Sequence, residues 1–272
     1  MIRTPGDKLA IDLPADVFDL PPAQRARLAR YLELPSAAAI DAVTDSEIRR
    51  LDAHRWRLLA ASARAVMAPV ERIRGRCFEL RGCDAPLEAT ESFAHRLAAA
   101  GADSIIIAGL TLGSRIDDLV AAHLREDEVF EAFVLKQWSA TMAEQARVGV
   151  TRALAVWAKG QGLALLPFDG PGYNGWPLES LASMLGALDI GPASGAPLSI
   201  RVAGPGMLWP INSLVLACGV VPHPAAGVCD EPLFRCGSCL LPRCRYRMMP
   251  PAGGGVRAGR SNGETEWMEQ VR

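Results

Sequence analysis

Hydrophobic positions along this chain change their spacing several times, and each change marks an element. Residues 1–40 hold no sustained period. Prolines interrupt them repeatedly and leave room for one short helix from Pro22 to Leu32. Behind Asp45 or Ser46 as caps, Ile48, Leu51, Leu58, Ala61 and Ala65 recur at helical spacing and predict an amphipathic helix over 46–68. Residues 71–84, with Cys77 and Cys83, read as a strand and turn. A second helix over 89–101 stops at Gly101.

Ala102–Gly109 is an almost unbroken apolar run with three isoleucines, the pattern of a strand buried on both faces. A turn at Thr111–Ser114 and a helix over 115–125 follow. Phe130, Val134, Trp138, Met142, Val150, Leu154 and Trp157 then mark one long helix from Glu128 to about Gly160. Leu163–Phe168 is strand-like, and Leu178–Leu188 helical. Strands are predicted at 197–203 and 213–221. Strands and helices without strict alternation give an α+β class rather than a doubly wound sheet. The organisation read from this pattern is an irregular segment at 1–40, an α+β domain at 41–228, a Cys-rich segment at 229–247 and a disordered Gly/Arg/Ser-rich tail at 248–272.

Composition narrows the role. Half the residues are hydrophobic, enough for a substantial core, and the formal net charge of -1 offers no field for nucleic acid. Only three lysines occur, so the positive charge is nearly all arginine, read here as compositional bias. Met1–Pro22 carry acids and prolines where a secretory signal needs an apolar run. No segment approaches the roughly 20 apolar residues of a membrane helix. The expectation is a cytoplasmic chain with reduced thiols, without membrane or nucleic-acid partners.

Seven cysteines in that setting call for metal, chemistry or burial rather than disulfides. Cys229, Cys236, Cys239 and Cys244 are spaced Cys-x6-Cys-x2-Cys-x4-Cys. Gly237 and Ser238 let the Cys-x-x-Cys step turn two thiolates onto one metal, and neighbouring arginines offset the charge. The set suits either a tetrahedral zinc ion or an iron–sulfur cluster. Cys77, Cys83 and Cys218 read as core residues. The histidines His54, His95, His123 and His223 are scattered without metal or triad spacing. Asp117 and Asp118 read as helix-start acids.

The densest punctuation is Asp169-Gly170-Pro171-Gly172-Tyr173-Asn174-Gly175-Trp176-Pro177, between a strand and a helix. Glycines admit close backbone approach, the helix start offers amides, and Tyr173 and Trp176 can stack on a flat ligand. The alternative is a rigid turn with its aromatics in the core. Gly170-x-Gly172-x-x-Gly175 spells a dinucleotide fingerprint, but Pro171 and Pro177 suit that turn poorly and a βαβ context is missing.

The order of segments resembles the activation domain of cobalamin-dependent methionine synthase, and stand-alone relatives of it. The matching pieces are Ile105–Gly113, the helix from Leu135 through Glu144, Pro171-Gly172-Tyr173 with Trp176-Pro177-Leu178, and Met207-Leu208-Trp209-Pro210 before Ser213. The ending Cys236-x-x-Cys239…Cys244-Arg245-Tyr246-Arg247 is the fifth. Together they cover roughly residues 40–247. The resemblance implies a twisted antiparallel sheet with flanking helices and S-adenosylmethionine as ligand, held by Glu144, Gly170, Pro171, Gly172, Tyr173 and Trp176. It also implies a role in reductive methylation of cob(II)alamin. No cobalamin-binding Asp-x-His-x-x-Gly signature is present, so the cobalamin would sit on a corrinoid-binding methyltransferase partner, with a flavodoxin-like electron donor.

Two positions depart from that pattern. The family's carboxylate-holding arginine falls opposite Phe168, and a phenyl ring supplies no charge-assisted contact. Asp169 beside it opposes a carboxylate, and a family tyrosine falls opposite Gly206. Arg115 and Arg201 are candidates for the missing cation. Three roles therefore stay open: an activation-type accessory of methyl transfer, an iron–sulfur electron carrier for a corrinoid or redox partner, and a non-enzymatic zinc-stapled interaction module.

Overall fold

A computed structural model of the chain describes residues 8–34, 36–83, 85–188 and 198–222. The elements in chain order are β1 (Lys8–Ile11), α1 (Pro22–Tyr31), α2 (Ala42–Ala53), α3 (Arg55–Leu58), β2 (Ser62–Arg74), β3 (Cys77–Leu80), β4 (Leu87–Glu88), α4 (Glu91–Ala100), β5 (Ser104–Thr111), α5 (Arg115–Arg125), α6 (Val129–Gly160), β6 (Leu163–Leu165), α7 (Leu181–Leu188), β7 (Arg201–Gly204), β8 (Met207–Trp209) and β9 (Ser213–Pro222). The four clustered cysteines, Cys229, Cys236, Cys239 and Cys244, lie outside the described residues, as does the tail.

Seven strands form one antiparallel sheet in the order β4-β3-β2-β5-β9-β6, with β1 added beside the first half of β2. The α+β expectation holds. β2 changes neighbour along its length, pairing with β1 over Ala63–Val66 and with β3 from Val70 onward. Pro69, which has no N–H to give, sits where the change occurs, beside an irregularity in register between Val70 and Arg72. β7 and β8 form a separate two-stranded hairpin.

Alternation along β5 and β9 explains the unbroken apolar runs. Ile106, Ala108, Leu110, Leu216, Cys218 and Val220 face a core shared with Trp138, Met142, Val150 and Leu154 of α6. Ile105, Ile107, Val215, Ala217 and Val221 face a second core with Phe93 and Leu97 of α4 and Met184 and Leu188 of α7. Both faces are covered, so no polar residue is needed on either.

The helix expected over 46–68 is corrected. It ends at Ala53, one further turn runs to Leu58, and from Ser62 the chain is strand. Ala61 and Ala65 kept the helical period only by being small and apolar. Paired on both sides, β2 sends Ala63 and Ala65 to one core and Val66 and Ala68 to the other. Tertiary pairing overrides alanine's helical preference here. The other long elements stand close to expectation, α6 above all. Among the described residues, no helix is long and apolar enough to cross a membrane.

Candidate functional site

The glycine loop is built from the sheet edge outward. After β6, Leu166 keeps a backbone bond to Gly219 (2.9 Å), and Asp169 exchanges two with Ala217, at 2.9 and 2.8 Å. This carries the loop's start along β9. A side chain on Gly170 would put its Cβ 2.6 Å from the Val215 carbonyl oxygen, so only glycine lets the two backbones approach this closely. The turn then closes on itself: Tyr173 N–H donates to Gly170, Trp176 N–H to Tyr173, and Gly172 N–H to Trp176.

Asp169 ties the loop to α4. Its carboxylate has no exposed surface and accepts from Gly170 N–H (3.1 Å), Asn174 Nδ2 (3.2 Å to each oxygen) and an Arg96 guanidinium nitrogen at 3.2 Å. Burial pushes this carboxyl above the ordinary aspartate value, against the pull of Arg96 and Asn174. Asp169 was expected to oppose a ligand carboxylate. It is instead sealed inside the loop with its charge answered there.

The structure separates the two aromatics. Trp176 is buried at 2% exposure, its ring 4.7 Å from that of Phe93, so it offers no face for stacking. Its indole Nε1 and the Asn174 Oδ1 are buried without a hydrogen-bond partner among the described residues. Tyr173 is partly exposed and packs against the α6-side core. Pro171 is buried, whereas Gly172 and Gly175 are exposed. Phe168 is fully buried in the α6-side core.

Other segments of the resemblance converge nearby. The β7–β8 turn places Gly206 beside the loop, where a Cβ would come within 2.6 Å of Leu178 Cδ1. Gly206 has a left-handed φ of 70°, and Trp209–Pro210 is a cis peptide. Beyond it, Ile211 N–H donates to Asp117 of α5 (2.9 Å), Asn212 Nδ2 to Ser139 of α6 (3.0 Å) and Ser213 Oγ to Thr111 (2.9 Å). Thus Thr111, the segment at 207–213 and α6 are stitched together. Asp117 is a tether as well as a helix-start acid.

Glu144 takes a different part. Its carboxylate is engaged by Arg147 of the same helix at 2.8 Å and by Arg27 of α1 at 3.7 Å. Both of these partners lie outside the loop. Of the two candidate cations, Arg201 lies on the hairpin with its guanidinium 4.7 Å above the Trp209 ring. Arg115 lines a different cavity, beside α2 and α3. Sequence reasoning missed Arg96 and Asn174; Arg96 stands 73 positions from Asp169, and no local spacing announces such a pair. Among the described residues, no group of His, Cys, Asp and Glu can hold a metal ion. Of Cys77, Cys83 and Cys218, only the last is fully buried.

No protein-family model and no curated protein matches this chain. Among solved structures, the crystal structure of the MetH reactivation domain bound to AdoHcy superposes with a TM-score of 0.58, covering 81% of this chain and 82% of that one. The two are 14% identical. The described residues therefore have the fold of that domain.

Proposed function

We propose that this chain is a reactivation-type protein that binds S-adenosylmethionine, or its demethylated product, beside the Gly170–Trp176 loop. The observation that carries the reading is the fold shared along most of both chains with a reactivation domain holding AdoHcy. Two features of the loop support it. The buried Trp176 Nε1 donor and Asn174 Oδ1 acceptor lack partners among the described residues, and leaving such groups unsatisfied costs about 1–3 kcal/mol each. A polar ligand edge that displaces the packing over them would answer both. Arg201, on the hairpin whose Gly206 turn lies beside Leu178, is the candidate for the cation that Phe168 cannot supply.

In this reading the protein carries no corrinoid of its own. It presents the sulfonium methyl to cob(II)alamin on a partner, while one electron from a flavodoxin-like donor completes methylcobalamin and leaves S-adenosylhomocysteine. This chain's residues bind and orient the methyl donor; Tyr173 and the exposed Gly172 backbone line its approach. Glu144 serves by fixing α1 to α6 through Arg27 and Arg147. The cysteines Cys229, Cys236, Cys239 and Cys244 hold zinc or an iron–sulfur cluster.

Calorimetry with S-adenosylmethionine and S-adenosylhomocysteine tests the ligand, and one saturable site is expected. Absence of heat at millimolar ligand removes the reading. Metal analysis and an absorption spectrum after oxygen-free purification test the cysteines. Brown protein with charge-transfer bands indicates a cluster, colourless protein with one zinc per chain indicates a staple, and metal-free protein removes both.

A further inference from the structure

Away from the glycine loop, α2 and α3 meet α5 and α6 around a cavity of about 280 Å³. Leu51, Leu58, Leu119 and Leu135 form its apolar floor, and Arg50, His54, Arg57, Arg115 and His123 surround it. The arrangement follows from helix geometry. Arg115, Leu119 and His123 are spaced four apart on α5, as are Arg50 of α2 and its cap His54, so each helix turns one stripe toward the cavity. No carboxylate is among the lining residues.

The charges at this rim are only partly answered by carboxylates. Ten arginines of the described residues pair with carboxylates. Arg50 is one of them, held by Glu47 at 2.6 Å. Arg57 and Arg115 have no carboxylate within ion-pair distance among the described residues, and both are exposed. The histidines are held by their Nδ1 atoms, His54 at 2.8 Å from the Arg50 carbonyl and His123 at 2.6 Å from Glu128. That leaves each Nε2 for another partner. An apolar floor under two uncompensated guanidinium groups selects a molecule with an apolar body and an anionic head.

We infer that this cavity is a second binding site, separate from the glycine loop, for a small amphiphilic organic anion whose carboxylate or phosphate head is held by Arg57 and Arg115. Its volume lies just below the roughly 300–1,000 Å³ typical of small-molecule pockets, so the ligand is a small one. The inference is independent of the methyl-donor reading, since it uses none of the loop residues.

The test titrates full-length protein with anilinonaphthalene sulfonate, followed by fluorescence. Saturable one-to-one binding is expected. Loss of a charge-assisted contact should weaken it about tenfold or more in Arg57→Gln and in Arg115→Gln. Arg72→Gln, an exposed arginine on β2, should leave it unchanged. Leu119→Phe, which fills the cavity without removing charge, should abolish binding. Displacement by octanoate identifies a carboxylate head, and displacement by phenyl phosphate a phosphoryl head. Equal displacement by neutral octanol overturns the proposal, as does unchanged affinity in both arginine variants with circular dichroism intact. Competition by S-adenosylhomocysteine also overturns it, because the dye would then be reporting the glycine loop.

Discussion

Arg96 of α4 reaches the sealed carboxylate of Asp169 at 3.2 Å, and this ion pair, together with Trp176 packed on Phe93, joins the glycine loop to the second core of the sheet. The guanidinium also lies 5.4 Å from the centre of the Phe93 ring, beside Trp176. Breaking a buried pair by removing one partner leaves a charge without an answer, at about 3–5 kcal/mol. Arg96→Leu should therefore lower stability by that order. Adding Asp169→Asn should recover part of the loss, because the stranded charge goes with it. Urea unfolding of the two single variants and the double variant measures the coupling. Strictly additive losses would rule out the pair as the connection.

The same aspartate sets a pH dependence. Burial raises its folded-state pKa above the ordinary 3.8. Between 3.8 and the raised value the folded chain keeps a proton that the unfolded chain has released. Stability therefore falls as pH rises through that window. Asparagine does not titrate, so wild type should lose ground to Asp169→Asn as pH climbs from 3.8 through the raised value, then run parallel to it. Asp52 and Asp117, raised in the same direction chiefly by burial, titrate in both proteins and cancel from the difference. Urea midpoints across that range give the curve, and a difference independent of pH would contradict the assigned burial.

Two glycines around the loop should fail differently when given a methyl group. In Gly170→Ala the new Cβ meets the Val215 carbonyl at 2.6 Å, part of β9 backbone that cannot step aside. Overpacking of that kind costs about 1–3 kcal/mol. In Gly206→Ala the obstacle is the Leu178 side chain, and Leu178 is 42% exposed. Trimming it in Gly206→Ala/Leu178→Ala should remove the 2.6 Å clash, leaving the cost of the left-handed backbone, about 1–2 kcal/mol, and a tight 3.1 Å approach to the Cβ at 178. Thermal melts of Gly170→Ala, Gly206→Ala and the double variant separate a rigid obstacle from a yielding one.

How much of this was legible in the sequence depended on how local the signal was. The long helix announced itself because Phe130 through Trp157 repeat one period for most of its length. The isoleucine strand did so because both its faces are buried. Ala61 and Ala65 misled because alanine fits a helix stripe and a crowded central strand equally well. At the candidate site, the Gly-Pro-Gly-Tyr spelling marked the loop correctly as a special backbone. It could not tell that Trp176 turns inward onto Phe93 or that Asp169 spends its charge on Arg96. His54 and His123 looked scattered, yet they border one cavity, because helix packing and not spacing brings them there.

Cys218 offers a check on the central strands. It is fully buried on β9, and burial pushes its thiol far above the usual range. The thiolate is the reactive form, so Cys218 should resist iodoacetamide in native protein and label only on global unfolding. Cys77 and Cys83, both partly exposed, should label faster. Peptide mapping by mass spectrometry distinguishes the three, and early labelling of Cys218 would mean that β9 opens without unfolding the sheet.

The indole of Trp176 separates a ligand platform from a merely tight turn. If its Nε1 donates to a bound S-adenosylhomocysteine, Trp176→Phe removes that bond and keeps an aromatic ring against Phe93. A lost hydrogen bond of about 1 kcal/mol lowers affinity several-fold. In the free protein the change removes a buried donor without a partner among the described residues, and that gain offsets part of the packing lost with the smaller ring. Stability without ligand should fall modestly, while the rise in melting temperature produced by the ligand shrinks. Thermal shift across a ligand titration reads both quantities at once. A ligand-induced rise as large in Trp176→Phe as in wild type would leave the indole N–H no part in binding and return this loop to a purely structural turn.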